Sequence, residues 1–198
     1  MKAISLSLAN RITIVRLFCI PFFILLLLYY DKSVFRGEEN DLLRIYASII
    51  FIVTFLSDAL DGYIARTRKQ ITRLGTILDP LADKALLLSA LILISYASEN
   101  AYGIHLPIWF VWLVICRDIM LVAGSLLIHF ISGMVSVRPR LSGKATTFFQ
   151  AVLILWALLN LPEKPYVIFL WTATALTVIS GAQYFFDGIR QFENHSDS

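Results

Sequence analysis

Charge and cysteine are both scarce in this chain. Only 16% of its 198 residues are Asp, Glu, Lys or Arg, against 58% hydrophobic, and the mean hydropathy is +0.74. A soluble domain carries about 25% charged residues, so too little polar sequence remains here to cover a water-facing globule. The two cysteines, Cys19 and Cys116, point to no disulfide framework and no Cys-based metal centre. Both fall in apolar stretches and read as packed small residues. His105, His129 and His195 show no metal-ligand spacing and receive no role. The apolar runs lack the period-two alternation of β-barrel spans. There is no internal repeat and no low-complexity linker, so residues 1–198 are expected to form a single domain.

What the chain does have is six apolar stretches, at about 12–30, 43–63, 76–97, 107–131, 146–161 and 165–186. Each is near the roughly 20 residues needed to span a bilayer. The expected fold is all-α: a polytopic membrane protein with six transmembrane helices. The first stretch follows Lys2, Arg11 and Arg16, as in a signal peptide, but it ends at Tyr29-Tyr30-Asp31-Lys32 without a small-residue cleavage site. It is expected to be a retained helix. Of the 17 Lys and Arg residues, 11 fall at the N-terminus, the 2–3 and 4–5 connections and the C-terminus, and only four in the opposite loops. The positive-inside rule then puts both termini in the cytoplasm. The net charge of +3 is concentrated on that face, where anionic lipid heads and phosphorylated substrates would meet it. Membrane lipids are expected partners; nucleic acid is not. The polar tail from Asn194 to Ser198 is expected to fray. Trp109, Trp112, Trp156 and Trp171 read as packing or interface-belt residues.

Four aspartates stand in the most apolar part of the chain. The pattern is Asp58-x-x-Asp61-Gly62-x-x-Ala65-Arg66, eight residues, then Gly75-x-x-x-Asp79-x-x-x-Asp83. An ionised Asp near the centre of a membrane helix costs roughly 2.5–3.5 kcal/mol on insertion scales. Spacings of three and four put each pair on one helix face, and a short basic connection makes the two helices antiparallel neighbours. Carboxylates this close cannot all ionise without a cation. Hard oxygen donors suit Mg²⁺ or Mn²⁺, and there are enough donors for two ions, a known way to clamp a phosphoryl group. Gly62 and Gly75 leave room for a ligand to approach the backbone, and Arg66 is placed for a phosphate oxygen. Taken singly, Asp61-Gly62 also reads as a helix terminus, and Asp79-Pro80 as an N-cap with proline at the first helical position.

At these residues the chain resembles the CDP-alcohol phosphatidyltransferase family, whose signature Asp58, Asp61, Gly62, Ala65, Arg66, Gly75, Asp79 and Asp83 match without a gap or substitution. The resemblance implies an integral membrane enzyme, often homodimeric, that replaces CMP on a CDP-linked lipid with an alcohol. It implies that Asp58, Asp61 and Asp79 hold two Mg²⁺ or Mn²⁺ ions at the pyrophosphate of CDP-diacylglycerol. Asp83 would lie near the metals and act as general base on the acceptor hydroxyl. Gly62, Ala65, Arg66 and Gly75 would line the nucleotide pocket. The N-terminal Asn10-x-x-Thr13-x-x-Arg16 stripe also resembles a family pattern. It reads either as part of that pocket, through Asn10 and Thr13, or as an interfacial anchor with Arg16 snorkelling to headgroups.

The acceptor side is less sharply marked. Arg117 and Asp118 lie inside the fourth span. As neighbours in sequence they are expected to face apart and seek separate partners. Arg138, Arg140 and Lys144 read as an ordinary positive-inside loop or, with Arg117, as a cradle for an anionic acceptor. Lys84, beside Asp83, points to a different face. Within the family, Gly143-Lys144-x-x-Thr147-x-x-Gln150 resembles the bacterial phosphatidylglycerophosphate synthase group, which implies glycerol 3-phosphate as acceptor. Ala145-Thr146 and Arg117-Asp118 depart from that group and resemble the cardiolipin synthases, which use phosphatidylglycerol. Glycerol 3-phosphate is favoured over phosphatidylglycerol. An intramembrane prenyltransferase would place its acidic motifs far apart, whereas the four aspartates here fall between 58 and 83. A membrane cation transporter would not account for the Gly, Ala and Arg positions. A dead scaffold would have lost motif residues.

Overall fold

The structure is a computed structural model. It describes the backbone at 8–38, 40–68, 73–97, 101–132 and 141–196, and side chains at 15–38, 40–57, 84–97, 101–124 and 142–186. Among the described residues the chain is all-α. Its six helices are α1 (Leu8–Phe35), α2 (Asp41–Arg68), α3 (Arg73–Tyr96), α4 (Ile108–Ser132), α5 (Leu141–Leu158) and α6 (Glu163–Ser196). They follow the order of the six apolar stretches. Among the described residues, Val15–Phe35 and Glu163–Phe186 are long and apolar enough to cross a membrane by length and composition; Lys84–Tyr96 is a shorter apolar helix.

Three boundaries differ from the sequence expectation. α2 runs past Gly62 to Arg68, so Asp61-Gly62 is not a helix terminus. α3 begins at Arg73, so Asp79-Pro80 lies inside the helix rather than at its start. Glycine and proline punctuate soluble helices, but membrane helices tolerate both because the freed backbone groups are satisfied locally or by neighbours. The third difference is α6, which stays helical to Ser196, so the expected frayed tail is helical through that residue.

The chain divides into two compact units, Met1–His105 with Ile154–Leu161, and Leu106–Leu153 with Pro162–Ser198. In the first, α1 packs along both α2 and α3, and among the described residues α2 and α3 also touch each other. Its buried stripe is Ile20, Phe23, Leu27 and Tyr30, spaced three and four apart as one helix face requires. The Phe23 and Phe51 rings lie 5.8 Å apart. Fully buried Ala47 and Ala90 remove bulk where helices approach closely. The opposite face of α1 shows Phe18, Phe22, Leu25 and Tyr29 to the surroundings, as expected of a lipid-facing helix.

In the second unit α4 packs on α6. The buried positions of α6 are Tyr166, Leu170, Ala173, Thr177 and Ser180, and those of α4 are Phe110, Val111, Val114, Arg117 and Asp118. Each set keeps helical spacing, and each turns polar at its far end. Cys116 is exposed and Cys19 half-buried, so the reading of both as packed residues is corrected for Cys116: its neighbour Arg117 takes the inward position. Trp109 and Trp171 are both largely exposed, with ring centroids 5.9 Å apart, in keeping with a belt role.

Polar contacts tie the first unit together at the ends of α1 and α5 and the start of α2. α5 stops where Asn160 adopts φ +51°. Asn160 N donates to Ala157 O at 3.0 Å, and Leu161 N to Trp156 O at 3.2 Å, the hydrogen bonds of a Schellman turn. With its amide turned so that both neighbours are satisfied, the Asn160 nitrogen donates to Tyr102 O at 3.0 Å and its oxygen accepts from Arg44 Nη1 at 3.1 Å. Arg44 also pairs with Asp41 at 2.9 Å and lies 5.8 Å from the centre of the Tyr30 ring. Tyr30 Oη donates to Ala101 O at 2.6 Å. Burial pushes the Tyr102 phenol well above its usual range, Tyr30 and Asp31 add to that and Arg44 opposes it, so Tyr102 stays neutral at physiological pH.

Two glycines separate backbone strain from crowding. Gly37 has φ +74° with open space around it; Gly103 has φ +59°, and a Cβ there would overlap the Asn160 side chain. Gly37→Ala should cost about 1 kcal/mol, the left-handed penalty alone. Gly103→Ala should cost about 2 kcal/mol or more, because strain and overlap add. Thermal unfolding in detergent reads the order; equal losses would remove the Asn160 contact from the account.

Candidate active site

The residues with the strongest chemistry flank the break between α2 and α3. Asp58, Asp61, Gly62, Ala65 and Arg66 lie on the last turns of α2, and Gly75, Asp79 and Asp83 on the first turns of α3. Only residues 69–72 separate the helices. Each aspartate pair sits on continuous helix, so three- and four-residue spacing gives each pair one face. The side chains of all eight positions lie outside the described residues, as do those of Asn10 and Thr13 on α1. Neither aspartate pair stands at a helix end, which removes the capping role that either could have had on its own.

The donor set suits a hard cation. It consists of carboxylates, with no Cys or His in the stretch from Asp58 to Asp83, which is the oxygen chemistry of Mg²⁺ or Mn²⁺. Among the described residues no three of His, Cys, Asp or Glu gather elsewhere. Arg16, on α1, is buried at 3% exposure. An anchor snorkelling to headgroups would display its guanidinium, so that reading is corrected.

The side chains described in full are those around Arg117. Its Nη1 donates to Asp118 Oδ1 at 2.8 Å and its Nη2 to Ser180 Oγ at 2.7 Å. The guanidinium carbon lies 5.7 Å from the centre of the Tyr184 ring. Arg117 is only 7% exposed, and its buried Nε makes no hydrogen bond among the described residues. The expectation that Arg117 and Asp118 seek separate partners is therefore corrected. The long Arg side chain curls around the helix far enough to meet its sequence neighbour. A desolvated guanidinium gains from such a charge-assisted bond.

Small residues make this burial possible. A Cβ on Gly143 would stand 3.2 Å from Arg117 Nη2 and 3.4 Å from Tyr184 Oη, and one on Gly181 3.7 Å from Arg117 Cγ. Ser142 Oγ donates to Gln183 Oε1 at 2.7 Å, which fixes the start of α5 against α6. Sequence reasoning missed Ser180, Tyr184, Ser142 and Gln183. The available signal was the pairing of Ser142-Gly143 with Ser180-Gly181, two small polar steps in otherwise bulky helices. Lys144 follows Gly143 and is exposed, Lys84 is half-buried, and Arg138 and Arg140 lie outside the described residues. Thr146 is fully buried, with its hydroxyl donating to Ser142 O at 2.9 Å.

The family pattern of the CDP-alcohol phosphatidyltransferases matches residues 6–179. This chain belongs to the CDP-alcohol phosphatidyltransferase family. It is therefore a membrane-embedded enzyme of phosphatidyl transfer, with a CDP-linked lipid and an alcohol as substrates. A Bacillus subtilis protein named CDP-diacylglycerol–glycerol-3-phosphate 3-phosphatidyltransferase is 34% identical over 188 residues, covering 90% of this chain and 93% of its own length. A Haemophilus influenzae protein of the same name is 32% identical over 177 residues, covering 87% and 88%. One from Rickettsia felis is 30% identical over 190 residues, covering 92% and 95%.

In this phosphatidyltransferase the Arg117 cluster generates a stability prediction. Arg117→Met strips Asp118 of its ion pair and should cost about 3 kcal/mol. Gly143→Ala, which asks the guanidinium to give only slightly, should cost about 1 kcal/mol. Thermal unfolding of the purified protein reads both. An unchanged midpoint for Arg117→Met would show that the buried pair contributes nothing to the fold.

Proposed function

We propose that this enzyme transfers the phosphatidyl group of CDP-diacylglycerol to glycerol 3-phosphate, releasing CMP. The observation that carries the reading is the complete set of eight signature positions, held on two consecutive helices, α2 and α3. The acceptor in the names of the similar Bacillus, Haemophilus and Rickettsia proteins supports this choice. In this reading residues 1–198 act as one domain with six membrane spans, both termini and the active site face the cytoplasm, and two copies form a homodimer. The family match across residues 6–179 supports the single domain.

Asp58, Asp61 and Asp79, with Asp83 adjacent, would hold the two divalent ions. Bound Mg²⁺ or Mn²⁺ supplies charge neutralisation at the pyrophosphate. Gly62, Ala65, Arg66 and Gly75, with Asn10 and Thr13, take the nucleotide. Asp83 accepts the proton of the acceptor hydroxyl. The freed oxygen bonds to the lipid-side phosphorus, the bond from that phosphorus to the bridging oxygen breaks, and CMP leaves with the electron pair. Acceptor recognition is assigned to Arg117, Arg138, Arg140 and Lys144. Because Asp118 and Ser180 already occupy two faces of Arg117, its part is to position the start of α5, while Lys144 presents charge. A second reading, phosphatidylglycerol as acceptor, is favoured by one observation. Thr146, standing where the glycerophosphate group has a basic residue, is buried and uncharged.

The test offers purified protein, CDP-diacylglycerol and Mg²⁺ or Mn²⁺ with glycerol 3-phosphate, phosphatidylglycerol, serine or inositol phosphate, and follows CMP and the lipid product. Release with glycerol 3-phosphate is expected. Release only with phosphatidylglycerol would move the acceptor, and none with any alcohol, alongside metal uptake into vesicles, would make this a transporter. Asp83→Asn should lower turnover at least 100-fold while sparing CDP-diacylglycerol binding. Normal turnover in that variant would sink the base assignment.

A further inference from the structure

The turn between α1 and α2 borders an open cavity of about 520 Å³ whose lining includes Tyr29, Lys32, Ser33, Arg36, Glu38 and Asn40. The signature does not reach it. Leu43, on its α2 side, lies 15 residues before Asp58. At 1.5 Å per residue that is about 22 Å along a continuous helix. The cavity and the aspartates are separate places.

The turn that shapes it is held by backbone bonds. Gly37 takes φ +74°, which lets Gly37 N reach Val34 O at 2.9 Å and Glu38 N reach Ser33 O at 3.0 Å. The chain then folds back so that Asn40 N donates to Ser33 Oγ at 3.3 Å, while that hydroxyl donates to Tyr30 O at 2.7 Å. Lys32, in the last turn of α1, and Arg36, the residue after its end, are joined by the Arg36 N to Lys32 O hydrogen bond at 3.2 Å, which keeps them on one side of the turn. Among the described residues neither has an ion pair, although the carboxylate of Glu38 lines the same cavity. Among the lining residues two cations face one carboxylate; of the acids beside them, Asp41 is paired with Arg44 and Asp31 precedes Lys32. Its surroundings are apolar and open: Tyr29 and Leu42 are largely exposed and Phe35 is 83% exposed. The candidate membrane span Val15–Phe35 ends here, so the cavity sits where apolar helix gives way to polar loop.

We propose that this cavity binds the phosphate of an anionic phospholipid headgroup, with Lys32 and Arg36 as its charge partners and the lipid's acyl chains lying along the exposed face of α1. A free phosphate would satisfy the same cations. The exposed Leu25, Leu28 and Tyr29 beside them fit a ligand that carries its own chains. The site does not depend on the transferase reading.

The full chain in nanodiscs of phosphatidylcholine with a small fraction of phosphatidylserine would be compared with Lys32→Gln/Arg36→Gln by native mass spectrometry. The unmodified chain should retain one more phosphatidylserine than the double variant, with an apparent affinity about 30-fold higher at roughly fivefold per cation. Lys32→Arg should keep that lipid. Circular dichroism and CMP release should match between the chains, which shows that the variants fold. Equal retention by both proteins would overturn the proposal. Thermal stabilisation by soluble glycerol 3-phosphate, lost in the double variant and without lipid retention, would overturn the assignment to a lipid.

Discussion

An ionised side chain inside an apolar helical bundle loses its hydration and has to find a counter-charge within a few ångströms. Arg117 shows one answer in full atomic detail. Its guanidinium is met by Asp118, Ser180 and the Tyr184 face, in space left by Gly143 and Gly181. Among the described residues Arg117 Nε is left without a hydrogen bond. Four aspartates within 26 residues (58 to 83) pose the same problem with the opposite sign. Arg66, Arg68, Arg73 and Lys84 stand on the same two helices. In the proposed function bound divalent cations supply the closer counter-charge, shared with the phosphates of the substrate.

The fold serves that requirement through α1. By packing along both α2 and α3, α1 provides a common wall for the two helices that carry the aspartates. Its Phe23–Leu27–Tyr30 stripe is buried while its other face is open to lipid. At its C-terminal end the chain is held by backbone turns and by the Asn160, Arg44 and Tyr30 contacts.

Much of this was legible in the sequence. Hydropathy alone marked all six helices in order, and the signature marked the family, because both are patterns of residue type at fixed spacing. Helix ends were less legible. Asp61-Gly62 and Asp79-Pro80 carry the residues of soluble helix caps, yet both lie within helices, since low water activity favours keeping backbone hydrogen bonds within the helix. The Arg117–Asp118 bond escaped a rule about helix faces, because that rule describes Cβ directions and not the reach of a long side chain. Ser180 and Tyr184 were invisible as partners, since only packing of α4 on α6 brings them to Arg117. The division into two compact units also had no signature, for no linker composition marks it.

The central claim is that the aspartates are answered by divalent cations. The most direct measurement is Mn²⁺ binding to the purified protein by electron paramagnetic resonance, in the unmodified chain and in Asp58→Asn and Asp79→Asn. Two bound ions, with at least one lost in each variant while helicity is kept, is the predicted result. Mn²⁺ binding that is absent, or indifferent to both substitutions, would contradict it.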